Sequence, residues 1–331
     1  MVAAKLHMHV ENSRHLGPVF EANKSRIAEA IRRFPGLRRR LTITIGYDGD
    51  TFAKQMKTAD VLFSWDFDTS VIANSGAPRL KWVHAHGAGI NHLLPLDWLP
   101  ANATLTNSRG IHGEKADEYT AMALLMMNNR MPESCTNQRL KRWDQTFSSS
   151  IAGKTVLIIG VGHIGGGAAK WAKRFGLRVL GIRQSGKKHA HVDEMYQPDQ
   201  LRKLLPRADF VLMTTPHTSS TTHLLGAVEL KLMKDGAGLV NYSRARLVDY
   251  DALRAELNAG RLRAMLDVFD PEPLPASSPL WHTPNLIITP HASSDDSERY
   301  TLKTLDLVFR NAERLLAGKK LINRVDPTRE F

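Results

Sequence analysis

The chain has 331 residues, 42% of them hydrophobic and 24% charged, which lies outside the disordered range and leaves room for two domains that each bury a core. Lys and Arg exceed Asp and Glu by 45 − 33 = 12, so anionic ligands are attracted. The bases are dispersed and accompany no helix-turn-helix, zinc or RNA-recognition signature, which argues against nucleic acid as a partner. No apolar run long enough to span a membrane occurs, the N-terminal MVAAKLHMHVENSRH lacks a secretory core, and Cys135 is the single cysteine, so a cytoplasmic location is expected.

Short β-rich apolar runs at 5–10, 41–46, 61–65, 81–85 and 103–106 alternate with polar or helical intervals, predicting an open parallel sheet. From 113 to 143 Ala, Leu and Met recur at helical spacing, and DQTFSSSIAGK then reads as a loop. A second alternation follows: strand TVLIIG, a glycine turn, helix AAKWAKRFG, strand RVLGIR, a helix near 198–205, strand DFVLMTT, a helix near 227–233, strand GLVNYS, helix DALRAELNAG, and strands LRAMLDV and NLIITP. A last helix, 297–316, is expected to return to the first domain. The pattern predicts an α/β protein of two Rossmann/flavodoxin-like doubly wound domains with a cleft between them. Residues 1–103 plus 292–331 are expected to form a substrate-binding domain and 104–291 a dinucleotide-binding domain.

The turn GVGHIGGG places Gly160, Gly162 and Gly165 in the spacing GxGxxG, directly after an apolar strand and before an Ala-rich helix. Glycines there permit a tight turn and close approach of backbone to a pyrophosphate, which meets free N–H groups of the helix start, where His163 and Ile164 stand. The second strand ends at Arg183, eighteen positions after Gly165, where an acidic residue would bind the ribose 2′-hydroxyl of NAD. Arg183 with Gln184, Ser185, Lys187 and Lys188 offers cations and donors to a 2′-phosphate, so NADP(H) is favoured, with NAD(H) the alternative.

Arg244, Glu272 and His291 each follow a strand of the C-terminal half. Taken singly they read as readily as a surface Arg, a solvated Glu and a structural His; in the reduction of a carbonyl group, negative charge builds on the oxygen and a cationic acid must stand beside it. His291 can release a proton near neutral pH, Glu272 can favour its imidazolium form, and Arg244 can hold a carboxylate in two hydrogen bonds.

HGAGINHL (86–93), NSRGIHGEKADEY (107–119), the glycine turn, NYSRARLVDYDAL (241–253), LDVFDPEPLP (266–275) and TPHAS (289–293) follow in the order of the D-isomer specific 2-hydroxyacid dehydrogenase family, which the chain resembles over nearly its whole length. The resemblance implies that Arg244 clamps the 2-oxo acid, His291 exchanges the proton and Glu272 orients it. It also implies that Asp267 contacts the nicotinamide carboxamide and that His86, Gly87, Ala88 and Gly89 offer N–H groups to the substrate carboxylate. Thr215, Pro216 and Ser243 are further expected cofactor contacts, and no metal site is expected. Two departures stand out: RAR (244–246) replaces the usual RGG or RGS, adding Arg246, and the substrate loop carries His84 and His86. His86 is read either as touching the substrate or as packing at the cleft edge. The Arg at the ribose position is similar to that of NADPH-dependent glyoxylate and hydroxypyruvate reductases, so a small 2-oxo acid is the expected substrate, reduced by a homodimer associating through 113–143. The alternative is a dinucleotide-sensing, corepressor-like binding protein without significant turnover.

Overall fold

The computed structural model describes residues 5–326, so 1–4 and 327–331, at the ends of the expected substrate-binding domain, lie outside the described residues. The chain divides into two compact units, one running to Ile111 and resuming at Asp296, the other His112–Asp295.

In the first unit β1 (Leu6–Asn12), β2 (Leu41–Tyr47), β3 (Val61–Ser64), β4 (Trp82–Ala85) and β5 (Thr104–Asn107) form a sheet in the order β2-β1-β3-β4-β5. Every pairing is parallel, which is the flavodoxin-like order. The boundary expected at 103/104 lies instead at 111/112, because β5 is hydrogen-bonded to β4, with Thr104 opposite Trp82. The return crossing is at 295/296 rather than 291/292. Leu6, Met8 and Val10 alternate onto one face of β1, where Leu305, Val308 and Phe309 of the helix Tyr300–Leu316 cover them. The opposite face carries His7, His9 and Glu11, and burial is tolerable there because the polar atoms are paired. His7 Nε2 and His9 Nδ1 both meet Thr44 Oγ1, at 2.8 and 2.9 Å, and His9 Nε2 meets Glu11 Oε2 at 2.8 Å. Glu11 Oε1 in turn accepts the Gly49 N–H at 2.7 Å.

The second unit holds β6 (Thr155–Ile159), β7 (Arg178–Ile182), β8 (Glu194–Tyr196), β9 (Phe210–Met213), β10 (Gly238–Asn241), β11 (Arg263–Leu266) and β12 (Leu286–Ile288). Their order is β12-β11-β10-β9-β6-β7-β8, all parallel, and the winding reverses between β6 and β9. Leu157, Ile159, Val211 and Met213 enter one apolar layer, while Val156, Ile158, Phe210 and Leu212 enter the other. Burying each such side chain contributes about 1.5–3 kcal/mol, so both faces must be covered by helices. The helical run expected over 113–143 is two helices, Gly113–Asn128 and Met131–Arg139. They part at Arg130, whose φ is 55° and which precedes a turn containing Pro132. No helix among the described residues is long and apolar enough to cross a membrane.

Candidate active site

In the second unit every residue singled out above lies beyond the carboxyl end of a parallel strand, the edge at which a doubly wound sheet collects ligands. After β6 the chain turns through Gly160 into the helix His163–Arg174. Gly160 has φ 104°, and a Cβ there would sit 2.5 Å from the Thr215 nitrogen. A Cβ on Gly165 would run into the Gly160 carbonyl oxygen and lie 2.8 Å from Thr214 Oγ1. Internal packing therefore accounts for both glycines. Gly162 differs, since its φ is −105° and a Cβ would meet nothing within 4 Å. A glycine that the protein's own packing does not require fits a ligand whose backbone-hugging group arrives from outside. The first amide to bond back into the helix is that of Gly166, to Gly162 O at 2.9 Å, leaving the preceding first-turn N–H groups facing outward, with no acidic side chain in that turn. The turn thus fits a pyrophosphate.

At the end of β7 the Arg183 N–H bonds Tyr196 O at 3.1 Å and Gly186 N–H bonds Arg183 O at 3.0 Å, closing a turn that exposes Gln184 and Ser185. At the end of β9 Thr214 Oγ1 donates to Gly160 O at 2.9 Å, and Ser243 Oγ donates to the Thr215 carbonyl, so the ends of β6, β9 and β10 are knitted together. Pro216 follows, its carbonyl accepting from Thr221 Oγ1 at 3.0 Å.

Arg244 leaves β10 in extended conformation, its carbonyl held by Asn241 Nδ2 at 3.0 Å. The same Nδ2 donates to Tyr250 Oη at 3.0 Å, and that hydroxyl donates to Val268 O at 2.8 Å, coupling the ends of β10 and β11. The next helix, Tyr250–Asn258, starts at Asp249, whose carboxylate accepts from the Asp251 and Ala252 N–H groups. Burial lowers the Arg244 pKa while Glu272 and Asp295 oppose the shift, and a guanidinium remains a cation throughout. Arg246 points elsewhere, into an exposed ion pair with Asp270.

His291 Nδ1 meets Glu272 Oε2 at 2.7 Å, and the Phe269 N–H meets Glu272 Oε1 at 2.7 Å, so the carboxylate is held at both oxygens. With Nδ1 engaged, the proton of the reactive nitrogen is carried by Nε2, on a ring 46% exposed. The Glu272 hydrogen bond lifts the His291 pKa above its ordinary value, against burial and the Arg244 charge. For Glu272 burial acts upward, but the hydrogen bonds from His291 and Phe269 and the charges of His291 and Arg244 together take the carboxyl below its ordinary value. Both directions describe an imidazolium–carboxylate pair. His291 itself has φ 49°, a conformation secured by its N–H bonding Asp267 O at 2.8 Å.

Asp267 faces inward. It is 0% exposed, with Oδ1 accepting from Thr289 Oγ1 at 2.6 Å and Ala292 N at 3.0 Å, and Oδ2 from Ser293 N at 3.1 Å. Its carboxylate clamps the loop that carries His291. Tyr119 Oη braces the same point through Thr289 Oγ1 at 2.8 Å. Tyr119, Thr289, Asn241 and Tyr250 were not singled out in the sequence, although all four lie within the matching segments.

In the first unit the His86–Gly89 loop follows β4. His86 is 4% exposed, stacked on Phe63 at 4.8 Å and Tyr300 at 5.2 Å with Phe20 and Trp65 alongside, and its N–H is bonded to Ser64 O at 2.8 Å. The ring thus packs among aromatic neighbours, and the His86 N–H is engaged by Ser64 O. A Cβ on Gly87 would lie 2.8 Å from the Trp65 ring. Asn107 Nδ2 holds Ala88 O at 2.8 Å, which fixes the loop that ends at Gly89. His84 is fully buried between Thr106 Oγ1 (2.7 Å) and Ser108 Oγ (3.1 Å), and burial pushes its pKa down to about 3, so it is neutral.

A backbone cradle for a pyrophosphate and an acid–base pair beside a cation, all on one sheet edge, are the requirements for moving hydride to or from a carbonyl carbon. The class they define is the nicotinamide-dinucleotide-dependent oxidoreductases. The family model described as "D-isomer specific 2-hydroxyacid dehydrogenase, NAD binding domain" matches residues 121–293. A glyoxylate reductase of Aeropyrum pernix is 31% identical over 294 residues, 83% of this chain and 86% of its own. Among solved structures, a D-isomer specific 2-hydroxyacid dehydrogenase family protein from Aeromonas salmonicida is 31% identical, with a TM-score of 0.79 over 98% of this chain and 100% of that one. A D-isomer specific 2-hydroxyacid dehydrogenase from Xanthobacter autotrophicus, solved with NADPH and MES, is 26% identical, with a TM-score of 0.84 over 99% and 100%. The chain belongs to the D-isomer specific 2-hydroxyacid dehydrogenase family and is a dehydrogenase or reductase of 2-hydroxy acids.

Proposed function

We propose that the protein is an NADP(H)-preferring reductase of a small 2-oxo acid, of the glyoxylate or hydroxypyruvate kind, acting as a cytoplasmic homodimer. The observation that carries the catalytic part is the His291–Glu272 pair, 2.7 Å apart, within electrostatic range of half-buried Arg244. The reduced dinucleotide, when bound, supplies the hydride. Arg244 binds the substrate carboxylate and polarises the ketone, and His291 donates its Nε2 proton to the carbonyl oxygen as charge develops there. Glu272 keeps the imidazolium charged and its tautomer fixed, and Asp267 and Tyr119, through Thr289, hold the loop in place. The amides of Gly87 to Gly89 are assigned to the substrate carboxylate, without His86. Gly160, Gly162, His163, Ile164 and Gly165 are assigned to the pyrophosphate, and Thr215, Pro216 and Ser243 to the cofactor on the adjoining strand ends.

Support for NADP(H) comes from Arg183 in the place of an acidic residue and from the NADPH held by the Xanthobacter neighbour. Support for a small 2-oxo acid comes from relatives that are glyoxylate reductases. Support for a dimer comes from large apolar side chains left exposed between Met122 and Phe147, with Trp143 at 92% and Phe147 at 84%. The acid–base pair beside Arg244 favours turnover over a purely sensing role. The test is consumption of NADPH and of NADH, separately, against glyoxylate, hydroxypyruvate, pyruvate and bulkier 2-oxo acids. NADPH with the small acids should be fastest; turnover only with bulky acids, or none, would overturn the substrate reading, and faster rates with NADH would overturn the cofactor reading.

A further inference from the structure

Gly166 is not part of the GxGxxG spacing, and its φ is not in the left-handed range, yet it follows Gly165 directly in a run of three glycines. What it makes room for is an imidazole. A Cβ at Gly166 would sit 2.7 Å from His189 Nε2 and 3.1 Å from Cε1, so the ring lies against the opening turns of the helix His163–Arg174. The ring is held from behind: the His191 N–H donates to His189 Nδ1 at 3.4 Å, the Val192 N–H bonds back to His189 O at 3.1 Å, and the His191 ring packs edge-on at 5.8 Å. With Nδ1 accepting, the neutral ring carries its proton on Nε2.

The surroundings are cationic. Between Arg183 and Val192 the loop contains Arg183, Lys187, Lys188, His189 and His191 and no acidic residue, and Asp193, just beyond it, is engaged by Lys173 and the Val179 N–H. A ribose 2′-hydroxyl asks for an acceptor, which this loop's side chains supply poorly. A phosphomonoester asks for a cation and several donors. We infer that His189, presented by the cleared face at Gly166, joins Arg183 in a subsite for the 2′-phosphate of the dinucleotide and so sets the preference for NADP(H) over NAD(H). The inference rests on the cofactor reading given under Proposed function. Burial, then the His191 and Arg183 charges, lower the His189 pKa, so it serves as a neutral N–H donor while Arg183 supplies charge.

The test is calorimetric titration of adenosine 2′,5′-bisphosphate and of 5′-AMP into the full-length protein and its variants. His189→Ala should weaken the bisphosphate about tenfold, the worth of one hydrogen bond to a charged group, and change AMP by less than about twofold. His189→Gln, which keeps an N–H donor at similar reach, should retain most of the difference. Gly166→Ala should reproduce the loss without touching the imidazole's chemistry, since its methyl displaces only the far end of a side chain and alanine suits a helix. If Arg183→Ala abolishes the bisphosphate advantage while His189→Ala and Gly166→Ala leave it intact, the inference is overturned and the NADP(H) reading stands. If the unaltered protein binds bisphosphate and AMP alike, the NADP(H) reading itself fails.

Discussion

Replacing Gly162 and Gly160 by alanine, one at a time, separates a glycine kept for a ligand from a glycine kept for the fold. At Gly160 alanine must adopt φ 104° and bring its Cβ to 2.5–2.7 Å from the Thr214–Thr215 backbone. Left-handed backbone costs roughly 1–2 kcal/mol and overpacking roughly 1–3, so Gly160→Ala should lose about 2–5 kcal/mol. At Gly162 φ is −105° and the methyl meets nothing within 4 Å, so the free protein should change by less than about 1 kcal/mol. The ligand should report the difference. At a dinucleotide concentration of 100 Kd the unaltered protein gains about 2.7 kcal/mol, but a methyl that costs one or two N–H to phosphate bonds weakens binding by about 10- to 100-fold, which at the upper end leaves about 0.4 kcal/mol. Thermal melts with and without NADPH read this directly, at about 2–4 °C per kcal/mol for a unit of this size. A Gly162→Ala protein that melts normally alone and keeps the full cofactor-induced rise would refute the pyrophosphate assignment.

His291→Gln should lower turnover in 2-oxo acid reduction by about 10²-fold or more with little change in NADPH affinity, measured by steady-state kinetics and by cofactor fluorescence; an unchanged turnover would remove His291 from the proton transfer. Reduction needs the imidazolium, which the Glu272 hydrogen bond stabilises, so the rate should fall as pH rises through the elevated His291 pKa, and Glu272→Gln should move that alkaline limb to lower pH. A limb that stays put would show that Glu272 does not govern the acid. Arg244→Lys should raise KM and lower kcat together, because an ammonium cannot reproduce the two-pronged grip on a carboxylate; an unchanged KM would place the carboxylate elsewhere. Trp143→Asp combined with Phe147→Asp should shift light-scattering mass from dimer to monomer, whereas an unchanged dimer would move the interface away from these side chains.

Periodicity and glycine spacing were enough to find both sheets, because parallel strands covered on two faces are written as short apolar runs separated by helical text. What escaped was short or depended on partners distant in the chain. β8 is three residues, Glu194–Tyr196, and is defined by pairing with β7 and by Arg178 and Arg207 on Glu194, none of which leaves a local pattern. The assignment of β5 to the first sheet rests on Thr104 meeting Trp82, and the break at Arg130 on a single left-handed residue. At the site, glycine spacing between a strand and a helix marked Gly160, Gly162 and Gly165, and the end of the second strand marked Arg183, whereas Arg244, Glu272 and His291 stood out as a set only through the resemblance of their segments to the family. Tertiary structure decided what those groups rest on: Asp267 turned inward to three atoms of the His291 loop, His86 enclosed by aromatic rings, and His189 set against the face that Gly166 leaves bare. The physical reason is that a motif encodes chemistry along the chain, whereas the direction a side chain faces is settled by neighbours that only folding brings within hydrogen-bond distance.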